Sequence, residues 1–394
     1  MNITPFKVRI AAREMVDLRR RLSRTRWPDE IPGTGWERGA DLAWMKSLVG
    51  YWLDGFDWRA QEESINRFAQ YRATVDGVGI HFIHQRGRGP DPLPILITHG
   101  WPGSFLEMLK ILPLLTDPAA HGGDACDAFD VVVPSLPGYG FSDRPAEKGF
   151  DTARIASLWV TLMEGLGYRR FCAQGGDWGA SVGTQLGFRH GRKIIGLHLN
   201  YIPGSYRPWT GAGSPALTPA EARFLEEAGQ WYDAQGGYAH AQKTRPQTLA
   251  FGLNDSPAGL AAWIVEKFRE WSDCEGDVER RFTMDELLTN VSLYWFTQTI
   301  HSSCRLYHES ASRPLRFGAN ERVEVPCGVA SFPKEAPAPP RDWVQRVYDV
   351  RRWTEMPAGG HFAAMEEPAL LAADIREFFR PLRRKQNESP APAD

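Results

Sequence analysis

Gly175-Gly176-Asp177-Trp178-Gly179 joins an apolar run at residues 170–174, which reads as a strand, to a helical stretch at residues 180–188. Small residues two positions before and after a nucleophilic side chain mark a sharp strand-to-helix bend, here with Asp in the place where serine is more familiar. Glycine suits those flanks, because the bend is strained and a larger side chain would strike the adjoining strand or helix. The carboxylate has its own chemical logic. A serine alkoxide attacking a saturated carbon would leave an ether, whereas a carboxylate leaves an ester that water can cleave. Asp177 is therefore expected to be a nucleophile toward an alkyl electrophile. The plainer alternative is an aspartate that only caps the helix after it.

Working outward from the bend, short apolar runs at residues 93–98, 131–134 and 194–200 end in Gly- or Pro-rich turns and alternate with helical patterns. That alternation predicts an α/β protein with a mostly parallel, doubly wound sheet and helices on both faces. Asp76-Gly77, between β-branched and aromatic residues, predicts a hairpin at which the sheet begins. Upstream of it, helices are expected at 11–27, where Pro28 ends the apolar spacing, and at 42–51 and 58–68. Strand signals stop after residue 203, and helices expected at 218–232, 258–271 and 284–306 form an inserted cap. Strands return at 323–330 and 347–353, before a closing helix at 368–379. The expected division is an N-terminal helical extension (1–71), a core in two parts (72–203 and 321–384), a helical cap (204–320) and a disordered tail (385–394).

The chain has 394 residues, of which 42% are apolar and 24% charged, so it can bury a large core and is neither disordered nor collagen-like. A formal net charge of -2 offers no electrostatic reason to bind nucleic acid or an anionic membrane, which leaves a small molecule as the expected partner. Charged residues interrupt the first thirty positions, so no secretory h-region or membrane span is expected. Five cysteines without CxxC spacing read as reduced thiols, and a cytoplasmic protein is the expectation.

Two further stretches carry chemistry. His99-Gly100-Trp101-Pro102-Gly103 follows the run at 93–98, where the Trp101 N–H can serve an oxyanion hole with the Trp178 N–H, the amide following the nucleophile. Gly359-Gly360-His361-Phe362 follows the last strand signal, and chain order makes His361 the candidate general base. A carboxylate should sit behind it after the run at 323–330; Glu335 is at the right depth, with Asp342 and Asp349 as weaker substitutes.

These stretches resemble the microsomal-type epoxide hydrolases and their soluble bacterial and fungal relatives. The resemblance spans nearly the whole chain: Arg26-Trp27-Pro28, Phe56-Asp57-Trp58-Arg59, and residues 99–104, 174–179, 237–246, 253–260 and 360–368. It implies an α/β-hydrolase fold and the opening of an epoxide to a vicinal diol through an Asp177 ester that His361- and Glu335-activated water cleaves. It also implies two cap tyrosines that grip the epoxide oxygen and donate a proton to it, and Tyr238 and Tyr307 match them. No metal or organic cofactor is implied, and the expected partners are an epoxide and water, with a homodimer as the assembly that fits. The hydrophobic N-terminal anchor of membrane-bound members is missing from this sequence, which favours a soluble form. Cap aromatics Trp209, Trp231, Trp263, Trp271, Tyr294, Trp295 and Phe296 read as packing or as pocket lining, and Trp101, Trp178, Trp231, Trp295 and Phe362 are the candidates for substrate contact. Two rivals stay open at this point: a dehalogenase with the same Asp nucleophile, and a binding protein on the same fold.

Overall fold

The structure, a computed structural model, describes residues 1–202 and 207–387; the expected junction at 203/204 lies outside them. Nine strands form a single sheet: β1 (Ile3–Phe6), β2 (Gln70–Val75), β3 (Val78–Gln85), β4 (Leu93–Thr98), β5 (Phe129–Pro134), β6 (Phe171–Gly175), β7 (Ile194–Leu199), β8 (Val323–Ser331) and β9 (Tyr348–Glu355). Their order is β1-β2-β3-β5-β4-β6-β7-β8-β9. The first three strands and the β3–β5 pair are antiparallel, and every pairing from β5 to β9 is parallel.

Parallel strands covered on both faces need apolar residues on both, so β5 reads Phe-Asp-Val-Val-Val-Pro and is buried throughout. Successive side chains then serve opposite faces. Ile95, Ile97, Val131, Val133 and Cys172 join one apolar cluster, while Leu96, Val132 and Ala173 join the other. The chain leaves β4 for β5 on one side and then crosses to β6 on the other. At such a reversal the crevice beyond the strand ends is open to a ligand, and the loops after β4 and β6 line it.

The sheet begins earlier than the hairpin. Ile3–Phe6 pairs antiparallel with β2, from Ile3 opposite Ala73 to Phe6 opposite Gln70, so residues 1–71 are not purely helical. Four residues are too few for a periodicity signal, and Pro5 argues against a strand except at a sheet edge, where β1 lies. The helix expected at 11–27 is Ala12–Leu22, because the Thr25 hydroxyl donates to the Leu22 carbonyl at 2.8 Å and turns the chain away. The next two helices are Leu42–Asp54 and Trp58–Ile65, capped by Asp41 and Asp57.

In the cap, helices run Pro219–Gln235, Gly237–Thr244, Pro246–Leu253 and Pro257–Trp271. The single helix expected at 284–306 is two, Met284–Thr297 and Ile300–Ser312, because Gln298 takes a left-handed φ of 52° and its N–H turns back to the Trp295 carbonyl. The closing helix, Pro368–Asn387, continues through Pro381 and into the segment expected to be a disordered tail. Its far turns are tied to the core: Arg380 pairs with Asp127, and Arg383 donates to the carbonyls of Asp127 and Ala128 at 2.9 and 2.8 Å.

The N-terminal helices grip the cap. Trp52 Nε1 donates to Ser292 Oγ at 3.1 Å, the Tyr51 hydroxyl to Asp285 at 2.9 Å, and Arg21 pairs with Asp255 at 2.8 Å. Leu18, Leu22, Leu48 and Trp52 share one apolar cluster with Leu260, Ile264 and Phe268 of the cap. Among the described residues no helix is long and apolar enough to cross a membrane.

Candidate active site

Asp177 opens the helix Asp177–Arg189 directly after β6, with a positive φ of 46°. That conformation is costly for a residue with a side chain and is held by its surroundings. The glycines are needed: a Cβ on Gly179 would lie 1.9 Å from the Thr98 carbonyl oxygen, and one on Gly175 would lie 2.4 Å from the Gly179 carbonyl carbon. Gly100 lets the β4 loop close on Asp177, since its Cβ would sit 2.4 Å from the Asp177 Cβ. Asp177 is therefore not a helix cap, for its side chain points back to that loop, where Oδ1 accepts the Trp101 N–H at 2.8 Å. Burial pushes the Asp177 carboxyl above its ordinary range, while His361 and the amides of Trp101 and Trp178 pull it back. Both amides chosen for an oxyanion hole thus address the same carboxylate.

His361 Nε2 lies 3.6 Å from Asp177 Oδ2, and its Nδ1 lies 2.8 Å from Glu335 Oε1. The loop after β8 brings Glu335 there. Lys334 bridges to Gly360 in parallel, which sets the two loops side by side. The His361 N–H is fixed by the Trp271 carbonyl at 2.9 Å. Asp342 lies in the short helix Arg341–Val344 and Asp349 pairs with Arg351, while Glu335 is the carboxylate on the imidazole. Burial alone would lower the His361 pKa, but the facing carboxylates outweigh it, Glu335 first and then Asp177, and raise it to about 9.

Above the carboxylate the cap places its tyrosines. The Tyr238 ring stacks on Trp101 at 5.1 Å and 7°, and Tyr307 stands edge-on to Trp178 at 4.7 Å and to Trp101 at 5.9 Å. The two tyrosine rings meet edge to face, with centroids 5.9 Å apart at 81°. Burial, reinforced by the Asp177 charge, pushes both well above the ordinary phenol range, so both are protonated.

Of the aromatics expected to touch substrate, Trp101 and Trp178 line this space, and Trp231 flanks it through Trp271 at 6.4 Å. Phe362 lies beneath, stacked on Phe268 at 4.0 Å. Trp295 does not join them: it turns toward the N-terminal helix, where Arg21 lies over its ring at 5.6 Å. Trp263 is spent on Gln242 and Tyr294 on the Gly103 carbonyl, which makes them packing residues.

Two residues, Lys267 and Glu107, were missed, and Trp271, left open between packing and pocket lining, belongs to the site. Trp271 touches Tyr238 at 5.0 Å and His361 at 5.1 Å. Lys267, one turn before it, is nearly buried and holds Nζ 5.1 Å from the Tyr238 ring centroid and 5.7 Å from that of Trp271. Glu107, on the short helix Phe105–Lys110, buries its carboxyl behind Asp177. Spacing of four between Lys267 and Trp271 signals only a shared helix face, and no local pattern marks a glutamate for burial.

An aspartate elbow at the end of a parallel strand, opposed by a loop histidine and roofed by an inserted cap, defines an α/β hydrolase. The model of the α/β hydrolase fold accordingly matches residues 94–244, and that of the epoxide hydrolase N terminus matches residues 3–108. A Stigmatella aurantiaca protein assigned as an epoxide hydrolase is 48% identical over 387 residues, covering 98% of this chain and 86% of its own. Epoxide hydrolase 1 of Oryctolagus cuniculus is 39% identical, covering 96% of this chain and 88% of its own. The crystal structure of juvenile hormone epoxide hydrolase from Bombyx mori superposes with a TM-score of 0.84 at 31% identity, over 98% of this chain and 95% of that one. The chain belongs to the epoxide hydrolase family. It is an enzyme, and its substrates are a small-molecule epoxide and water.

Proposed function

We propose that Asp177 opens the epoxide by attack on a ring carbon while Tyr238 and Tyr307 hold the oxygen, and that His361 with Glu335 activates the water that cleaves the resulting ester. The observation that carries this reading is the placement of Asp177: Oδ1 is held by the Trp101 amide, Oδ2 lies 3.6 Å from His361, and the two phenols share the aromatic roof above. In the first step the Asp177 oxygen bonds to carbon, the C–O bond breaks, and a phenol gives its proton to the departing oxygen. In the second, water adds to the Asp177 carbonyl carbon, the amides of Trp101 and Trp178 hold the tetrahedral anion, and the diol leaves.

The imidazole pKa of about 9 fits this order of events. A base that is protonated in the resting enzyme could not draw a proton from water at neutral pH. Forming the ester removes the Asp177 charge, which ranks behind Glu335 among the causes of the upward shift, so the imidazolium gives up its proton more readily once there is an ester to cleave. The proton it gives up balances the one that the phenol has donated.

Single turnover of styrene oxide in heavy-oxygen water tests the scheme. Label should enter the Asp177 carboxylate and be found by peptide mass; label passing directly into the diol would discard the ester. Replacing one tyrosine, as in Tyr238→Phe or Tyr307→Phe, should slow ester formation roughly 10- to 100-fold, and replacing both about 10³-fold or more. Rapid-quench kinetics separates that step from ester cleavage, which should be nearly unchanged in either single variant.

The chain is further proposed to divide into the extension, two-part core and cap set out above, to work in the cytoplasm and to be able to pair as a homodimer. All five cysteines are free, which supports a reducing compartment.

A further inference from the structure

A cavity of about 20 Å³ is lined by Gly100, Glu107, Gln174, Asp177, Asn200 and His361, among others, and by neither Tyr238 nor Tyr307. About 10–15 Å³ suffices for one water, provided that polar groups face it. They do. Glu107 Oε1 and Gln174 Oε1 are both buried without a hydrogen-bond partner, although Gln174 Nε2 is satisfied by Asn200 at 2.8 Å. The backbone amides of Gly100 and Ser104 lie close enough to weigh on the Glu107 carboxyl, but neither makes a bond of good geometry to Oε1. An unpaired buried polar oxygen costs free energy, so a carboxyl and an amide oxygen without partners, on two residues that line one water-sized cavity, call for a ligand.

We infer that this cavity seats the water that cleaves the Asp177 ester, and that the Glu107 carboxyl holds it between His361 and the ester carbon. This rests on the covalent reading above. One water hydrogen points to His361 Nε2 and the other to a Glu107 oxygen, which leaves a lone pair for the Asp177 carbonyl carbon. The water oxygen bonds to that carbon and one proton passes to His361. The tetrahedral anion collapses with loss of the alkyl oxygen, and that oxygen takes the proton from His361. The second hydrogen stays on the incoming oxygen as part of the Asp177 carboxyl and then passes to His361, which restores the carboxylate and the imidazolium, so Glu107 ends each cycle with the proton it began with. It can keep that proton: burial first, and then the Asp177 charge, push its carboxyl up to about 8 against the pull of His361. A charged glutamate there would instead repel the carboxylate that must attack the epoxide.

Glu107→Leu and Glu107→Gln test the assignment by rapid quench, with intact mass reading the ester. The leucine variant should form ester at close to the parent rate and cleave it at least about tenfold more slowly, so that ester accumulates during turnover. The glutamine variant keeps an acceptor oxygen and should lose only a few-fold. Parent-like cleavage in Glu107→Leu, or an equal fall of both steps in both variants, overturns the assignment. Should the leucine variant fail to fold, a high-resolution crystal structure of the parent decides: an ordered water within hydrogen-bond distance of Glu107 and His361 supports it, and a dry cavity overturns it. If ester accumulates in no variant, His361→Gln included, the covalent scheme itself falls and this inference with it; if it accumulates in His361→Gln alone, only Glu107 is misassigned.

Discussion

Asp177→Asn is expected to abolish sustained diol formation, lowering kcat by about 10⁴-fold or more while leaving the fold intact. An amide keeps the shape and can still accept the Trp101 N–H, but its oxygen is a far weaker nucleophile toward carbon. Stability should not suffer, because the substitution removes a charge whose burial already pushes the Asp177 carboxyl above its ordinary range. A thermal melt that matches or exceeds the parent, together with lost turnover, is the expected pair of results. The same variant reports on the imidazole. Asp177 is one of the carboxylates that raise His361 to about 9, so the amide should move that titration downward, as followed by the ring resonances. Retained turnover in a cleanly prepared variant would end the nucleophile assignment, and an unmoved imidazole titration would end the argument for a base released by ester formation.

The second large effect belongs to His361→Gln. In the proposed scheme ester formation needs Asp177 and the phenols, whereas ester cleavage needs the base, so one equivalent of substrate should be consumed rapidly and turnover should then stall. Cleavage should fall by about 10³-fold or more, within the range found when a general base is removed. Intact mass should show the protein heavier by one substrate. If ester formation fell as steeply as cleavage, His361 would be serving the first step as well. Multiple turnover without a burst would show that another group is the base.

The site was legible in the sequence where a local backbone demand had to be met by a particular residue. Gly175, Gly176 and Gly179 announce the strained bend, and Gly359-Gly360 announces the loop that delivers His361. Glu335 could be placed because it follows a strand at a set depth, and the structure seats it 2.8 Å from the imidazole. Tyr238 and Tyr307 were legible only through the family, since a buried tyrosine on a helix has no local mark of its role. Side-chain direction was not legible. Trp295 and Trp271 are both cap aromatics, yet one turns to Arg21 on the outer helix and the other to His361, and only the packing of the cap on the core decides which. The strand at Ile3–Phe6 escaped because its evidence lies in its partner, Gln70–Val75, and not in its own four residues. The break at Gln298 escaped for a related reason: no glycine or proline between Thr297 and Ile300 marks it, and the tertiary fit decides where the left-handed residue falls.

The clasp between the first helices and the cap bears on how the chain is made. Trp52 must wait for Ser292, its partner 240 residues downstream, and Arg21 for Asp255, 234 residues on. At roughly 5–20 residues per second, a ribosome needs on the order of 10–50 s to cover that distance. Throughout that interval the nascent amino terminus carries Leu18, Leu22, Leu48 and Trp52 with no cap to cover them. Slowing translation between codons 60 and 250 should therefore lengthen its dependence on chaperones, whereas a pause after residue 300 should not.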